Sequence, residues 1–162
     1  MVPGNLTPYF AATSAAAGAL IGLLFVAVSL RPDSIFGKNG DATGRRLAES
    51  SFTGLVNVFF ISLVALIPTT DLGYPAASLA VVGLWVTLSR HVRRVGVSHL
   101  TVLLSILVIY LGELGVGIAA IFDPSQQTFV YVLVYLLIAA MSLALTRAWS
   151  LLTGEGVKPT AS

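Results

Sequence analysis

One acidic residue interrupts a long apolar run. Glu113 sits in the string Tyr110-Leu111-Gly112-Glu113-Leu114-Gly115-Val116-Gly117, inside the stretch from Leu100 to Phe122. A carboxylate near the middle of a bilayer costs about 2.5 to 3.5 kcal/mol on insertion scales. Counted from the far end of its run at 1.5 Å per residue, Glu113 lies roughly 13 Å deep. Desolvation at that depth penalises the charged form, so a protonated carboxyl is the expected species. Two kinds of chemistry suit such a group. One is a relay for protons or small cations. The other is a hydrogen-bonded structural acid inside a bundle or at an oligomer contact.

Its neighbours narrow the geometry. Tyr110 at i−3 offers a hydroxyl on the same helical face, and Gly117 at i+4 leaves room for a neighbouring backbone. Depth along their own runs nominates two partners, Asn57 and Tyr135. Ser50, Thr53, Gly54 and Asn57 recur at i, i+3, i+4 and i+7, which places a small polar stripe on one helix face. Such a stripe supplies interhelical hydrogen bonds of about 0.6 kcal/mol each. Lining an aqueous path would need more polar residues than the sequence places there.

Other chemistries are absent from the sequence. There is no cysteine, hence no thiolate nucleophile, iron–sulfur ligand or thioether-linked haem. The motifs of zinc proteases, P-loop enzymes and nucleophile-elbow hydrolases are missing, and no pair of acids falls inside an apolar run. His91 and His99 both lie beside basic residues at the polar ends of runs, so no buried imidazole pair is available for a metal or haem. The expectation is a non-enzymatic protein with no cofactor and no metal. Arg90, Arg93 and Arg94 form a compact basic cluster suited to anionic lipid headgroups, at about 1 kcal/mol per charge near the surface. With a net charge of only +2, and basic residues placed beside apolar runs, no nucleic-acid partner is expected.

The elements that must position these residues are membrane crossings. The chain has 162 residues, 56% hydrophobic and 10% charged, against about a quarter charged in ordinary soluble domains. Runs of about 20 apolar residues are needed to span a bilayer. Five qualify: Tyr9 to Leu30, Leu47 to Ile67, Tyr74 to Val92, Leu100 to Phe122 and Phe129 to Trp149. The third is the weakest, with Arg90 near its end. Between the runs lie turn-forming strings such as Ile67-Pro68-Thr69-Thr70-Asp71 and Asp123-Pro124-Ser125-Gln126-Gln127.

Threaded through five crossings, all nine Lys and Arg fall on one side: Arg31, Lys38, Arg45, Arg46, Arg90, Arg93, Arg94, Arg147 and Lys158. The positive-inside rule then puts the N-terminus outside and the C-terminus in the cytoplasm. Tyr9, Tyr74, Tyr131 and Trp149 sit near run ends, as an interfacial aromatic belt requires. The first run lacks a basic segment before it and is too long for a signal peptide, so it reads as a retained crossing. Ser14, Gly18 and Gly22 form a small-xxx-small series, which lets another helix approach closely. The partner helix is either of the same chain or of a second protomer.

The expected fold is therefore an all-α, polytopic membrane bundle of five transmembrane helices over residues 1–152, with a short polar tail at 153–162. The segments Gly18-Ala19-Leu20-Ile21-Gly22 and Arg45-Arg46-Leu47-Ala48-Glu49-Ser50-Ser51-Phe52-Thr53-Gly54-Leu55-Val56-Asn57 carry a resemblance. Over residues 1–70 the chain resembles small bacterial integral membrane proteins, some of them labelled modulators of the membrane protease FtsH. The established modulator belongs to the Bax-inhibitor-like family, which has more crossings and a C-terminal aspartate pair, whereas Asp71 and Asp123 here fall in turns. The resemblance implies a bacterial plasma (inner) membrane and brings no site residues. The expectation for function is a small accessory or regulatory protein acting through helix contacts, with membrane lipids and a second copy or another membrane protein as partners. The alternative is a small proton- or cation-conducting transporter or channel protomer that uses Glu113.

Overall fold

The computed structural model describes residues 2–30, 42–68, 71–91 and 100–153. Among these residues five α-helices follow one another: α1 (Thr7–Leu30), α2 (Ala42–Ala65), α3 (Gly73–His91), α4 (Leu100–Phe122) and α5 (Thr128–Thr153), with a 3-10 turn at Gly4–Leu6 before α1. No strand occurs among the described residues. Four of the helices are long and apolar enough to cross a membrane; α3 is shorter, its apolar part running from Gly73 to Ser89. By length and composition this is an integral membrane protein.

The helices are apolar all round, as spans are. On α4 the exposed residues Leu104, Val108, Leu111 and Ile118 are as hydrophobic as the buried ones. What separates the faces is side-chain size and polarity. Buried positions recur every three or four residues: Ile106, Tyr110, Glu113 and Gly117 on α4, and Leu133, Leu137, Ala140, Ala144 and Arg147 on α5. Small residues on this inward stripe let the backbones close up.

Helix starts are set by side chains in the turns. The Asp71 carboxylate accepts the Gly73 N–H at 2.9 Å, a side-chain turn that leads into α3. Asp123 gathers Ser125 and Gln126 into the turn that feeds α5. At the other end of the bundle, Arg45 bonds Glu49 one turn on at 3.0 Å. This pair lies inside α2, so the helix begins at Ala42, ahead of the apolar run.

Helices α2, α3, α4 and α5 form a ring, and α1 lies outside it against α2, touching α5. Around the ring α2 packs on α5, α5 on α4, α4 on α3, and α3 closes onto α2. Neighbours run antiparallel: Gly54 of α2 meets Ala144 of α5, and Gly73 and Gly83 of α3 meet Ile121 and Tyr110 of α4. Helices α2 and α4 therefore face each other across the ring. The N-terminus is tied down by Tyr9, whose hydroxyl donates to the Val134 carbonyl at 3.3 Å, and by Asn5, which donates to the Tyr131 hydroxyl.

The tail at 154–162 and the side chains of Arg90, Arg93 and Arg94, assigned to lipid headgroups, lie outside the described residues.

Candidate functional site

Glu113 occupies the inward stripe of α4 and is 1% exposed. Asn57, also buried, occupies the inward face of α2. The two side chains meet across the ring: Asn57 Nδ2 donates to Glu113 Oε1 at 3.0 Å and to Oε2 at 2.9 Å. Since α2 and α4 stand opposite each other, this bond spans the axis of the bundle instead of stitching adjacent helices.

The pairing suits a group that changes protonation. An ionised carboxylate only accepts, and the Asn57 NH2 donates to it. A protonated carboxyl needs an acceptor, and the same amide supplies its carbonyl oxygen after a half-turn of its terminal torsion.

Further polar side chains lie below this pair, toward the end of the bundle where α5 finishes. Tyr110, one turn along α4, is buried and within electrostatic range of both Glu113 and Arg147. Its ring packs directly over Gly83 of α3, so that a β-carbon there would overlap it. Thr87, one turn beyond Gly83, is buried too. Ser51 on α2 is completely enclosed, and Arg147 on α5 is only 7% exposed. Each helix of the ring thus buries at least one polar side chain: Ser51 and Asn57, Thr87, Tyr110 and Glu113, and Arg147.

Above Glu113 the buried residues are mostly apolar, Ser62 of α2 excepted. Leu72, Ala76 and Leu133 surround Gly117, the residue one turn above the acid. The fit is tight, for a β-carbon on Gly117 would lie 2.6 Å from the Ala77 nitrogen. Over this layer opens a small cleft of about 20 Å³, with Asp71, Asp123 and Gln126 among its lining residues. That is room for roughly one water molecule. The two aspartates have no third ligand beside them, and no group of three or more His, Cys, Asp or Glu gathers among the described residues.

One expectation drawn from sequence is corrected, and one left open is narrowed. Tyr135 matches Glu113 in depth but is 72% exposed on the outer face of α5, turned away from the axis. It sits two residues after the inward Leu133, more than half a helical turn round. Gly22 is not a packing residue within the chain, since nothing lies within 4 Å of a β-carbon placed there. The buried stripe of α1 runs through Phe10, Thr13, Ser14, Ala17 and Leu24, on the other side of the helix. Gly18 does pack, with a β-carbon position 3.3 Å from the Phe59 ring, and the buried Ser14 bonds the Ala11 carbonyl. The polar stripe on α2 is likewise inert for the most part. Ser50 and Thr53 bond the carbonyls of Leu47 and Glu49 in their own helix, and only Asn57 reaches across.

Ser51, Thr87 and Arg147 were not singled out by sequence. Arg147 reads as a topological charge at the end of a run, yet its spacing from Leu133, Leu137, Ala140 and Ala144 alternates by four and three. That phase is the signal that places it inside.

No family model matches the chain, and no curated protein or solved structure matches it.

Proposed function

We propose that this chain is a small proton-conducting transporter or channel protomer of the plasma (inner) membrane, with Glu113 as its proton-binding group. The bond from Asn57 to Glu113 across the ring axis carries this reading. It sets a single carboxyl on the axis of the bundle, beside an amide able to serve either protonation state. The Asp71 and Asp123 cleft stands at one end of that axis, and Tyr110 and Thr87 lie toward the other. The layer around Gly117 acts as the gate. A proton fits better than a metal cation, because Arg147 puts fixed positive charge in the path and Glu113 offers only one carboxylate.

The threading belongs to the same proposal: five crossings, N-terminus outside and C-terminus cytoplasmic. Helix α3 measures about 28 Å at 1.5 Å per residue, close to the 30 Å hydrocarbon thickness. It also lies along α4 from Gly73–Ile121 to Gly83–Tyr110. A helix packed along a membrane span in this way crosses with it. The Lys and Arg then collect on one side.

A second reading, the accessory protein working through helix contacts, is favoured by one observation. The face of α1 turned away from α2 exposes Ala11, Ala12, Ala15, Ala16, Ala19 and Gly22, small residues over which another membrane helix could pack closely. The resemblance of residues 1–70 to bacterial proteins labelled FtsH modulators belongs with this reading.

One experiment separates the two. Purified protein is reconstituted into liposomes, a potassium diffusion potential is imposed, and internal pH is followed. Proton entry that falls at least about tenfold in Glu113→Gln, with the variant still monodisperse, supports the relay; tenfold corresponds to about 1.4 kcal/mol in a barrier. Flux that is equal in parent and variant removes Glu113 from the mechanism. No flux in either leaves helix contact as the function.

A further inference from the structure

Helices α3 and α4 form a hairpin that is joined to the other helices at one end. Its two connections, from α2 through 66–72 and to α5 through 123–127, both lie at the end that carries the Asp71 and Asp123 cleft. Packing divides the bundle along the same line. Helix α3 lies closely along α4, and α2 closely against α1 and α5, whereas α2 with α3 and α4 with α5 meet more sparsely.

The kind of contact differs as well. Within the hairpin, backbone approaches backbone: a β-carbon on Gly73 would lie 2.9 Å from the Gly117 carbonyl oxygen, and one on Gly117 2.6 Å from the Ala77 nitrogen. In the other body Gly54 sits against Ala144 and the Ala140 carbonyl. Across the seam between the bodies, Gly112 of α4 meets the methyl ends of Leu136, a flexible tip that yields where a backbone cannot. The cleft is an incomplete closure of this seam, with Leu72, Ala76 and Gly117 on one wall and Phe129, Val130 and Leu133 on the other.

The bond from Asn57 to Glu113 crosses the seam near the middle of α4. Farther from the connections, Arg147 of α5 comes within electrostatic range of Tyr110 of α4, yet its buried Nε and Nη2 have no hydrogen-bond partner. Those donors therefore do not fasten the seam there.

We propose that the α3–α4 hairpin is an arm, hinged at the cleft end and latched to α2 by the Asn57–Glu113 bond, whose free end swings away from α2 and α5 when the latch is released. Helices joined by close packing move as rigid bodies, and motion concentrates where packing is sparse. The swing breaks no backbone hydrogen bond, since each helix keeps its own. As a control on access to Glu113 the arm rests on the proton-relay reading. As a motion it does not, and it is read by distance instead of flux.

The test places pairs of nitroxide labels on the full chain in lipid bilayers and measures their separation by dipolar spectroscopy; the absence of native cysteine leaves no background. Four pairs of exposed positions are used. Ser89→Cys with Phe52→Cys spans the seam toward the free end, and Tyr74→Cys with Thr128→Cys spans it at the hinge. Ser89→Cys with Leu104→Cys stays within the arm, and Phe52→Cys with Leu145→Cys within the other body. In Asn57→Ala a separation several ångströms longer should appear for the first pair, while the two within-body pairs keep their parental values and the hinge pair changes little. Asn57→Ser, which retains a polar group but is too short to reach Glu113, is the milder variant and is read in the same way. A first-pair separation that neither variant changes overturns the proposal, and so does a lengthening shared by all four pairs, which is general loosening. Glu113→Gln keeps an amide that pairs with Asn57, so the arm should stay latched in that variant even where proton entry is lost. Proton entry with an arm that never moves removes the arm and keeps the relay; a swing without proton entry does the opposite.

Discussion

At the scale of single residues, contacts in the interior depend on what is missing as much as on what is present. Gly83 has no side chain because the Tyr110 ring occupies the place where one would go. Gly83→Ala therefore forces Tyr110 out of its seat or the two helices apart. Overpacking of this kind costs about 1–3 kcal/mol. A drop in the thermal midpoint of the detergent-solubilised protein is the expected result, with a larger drop than for Gly115→Ala, whose β-carbon meets nothing within 4 Å. Equal midpoints for the two variants would show that the Tyr110 ring is free to give way.

The residue scale is also where sequence reading succeeded and failed most plainly. Glu113 and Asn57 were legible because a lone acid in hydrocarbon demands a polar partner at matching depth. Depth gives no azimuth, however, and that is why Tyr135 was drawn in while it points outward. Helical phase carries the missing coordinate. Applied to α5, it moves Tyr135 out and Arg147 in.

At the scale of elements, apolarity locates helices well and their ends poorly. The run from Leu100 to Phe122 coincides with α4, whose limits are polar on both sides. Helix α2 starts at Ala42 instead of Leu47 because Arg45 and Glu49 support an extra polar turn, and α5 continues to Thr153, past Trp149. Hydropathy cannot report turns of this kind, since they are helical without being buried in hydrocarbon.

The connection between α4 and α5 is an element in its own right. Asp123 accepts from the Ser125 hydroxyl at 2.6 Å, from Gln126 Nε2 at 2.8 Å and from the Ser125 N–H at 3.3 Å. The Ser125 bond, then that from Gln126, hold its carboxyl below the usual aspartate range. A carboxyl lowered by folding contributes stability that is complete above its unfolded-state value and disappears as the pH falls through the folded one. The turn is thus fastened at neutral pH and loosens only below the ordinary carboxylate range. Amide exchange at Ser125 and Gln126 should be severalfold faster in Asp123→Ala than in the parent at neutral pH. That gap should close in strong acid, once exchange is corrected for its intrinsic pH dependence. A gap that persisted there would mean that the fastening does not depend on the charge.

At the scale of the whole molecule, the bundle has two unlike ends. One carries Asp71 and Asp123 around a cleft closed by the layer at Gly117. Toward the other, Thr87, Arg147 and Tyr110 are buried. Which end meets the cytoplasm decides the direction of any proton path. The chain contains no cysteine, so single probes need no background removed. Ser125→Cys, in the α4–α5 turn, and Arg45→Cys, in the first turn of α2, report opposite ends. A membrane-impermeant maleimide applied to intact cells should label Ser125→Cys and spare Arg45→Cys until the membrane is permeabilised. The reverse pattern would turn the acidic cleft toward the cytoplasm and Arg147 toward the exterior. Labelling of both sites in intact cells would break the antiparallel threading itself. With the orientation as proposed, a proton reaches Glu113 from outside only by passing the Gly117 layer, whereas the polar side chains on the cytoplasmic side already extend to it. If the chain conducts protons as proposed, its carboxyl would exchange with the cell interior at rest, and opening past the tight layer at Gly117 would be the step that admits the exterior.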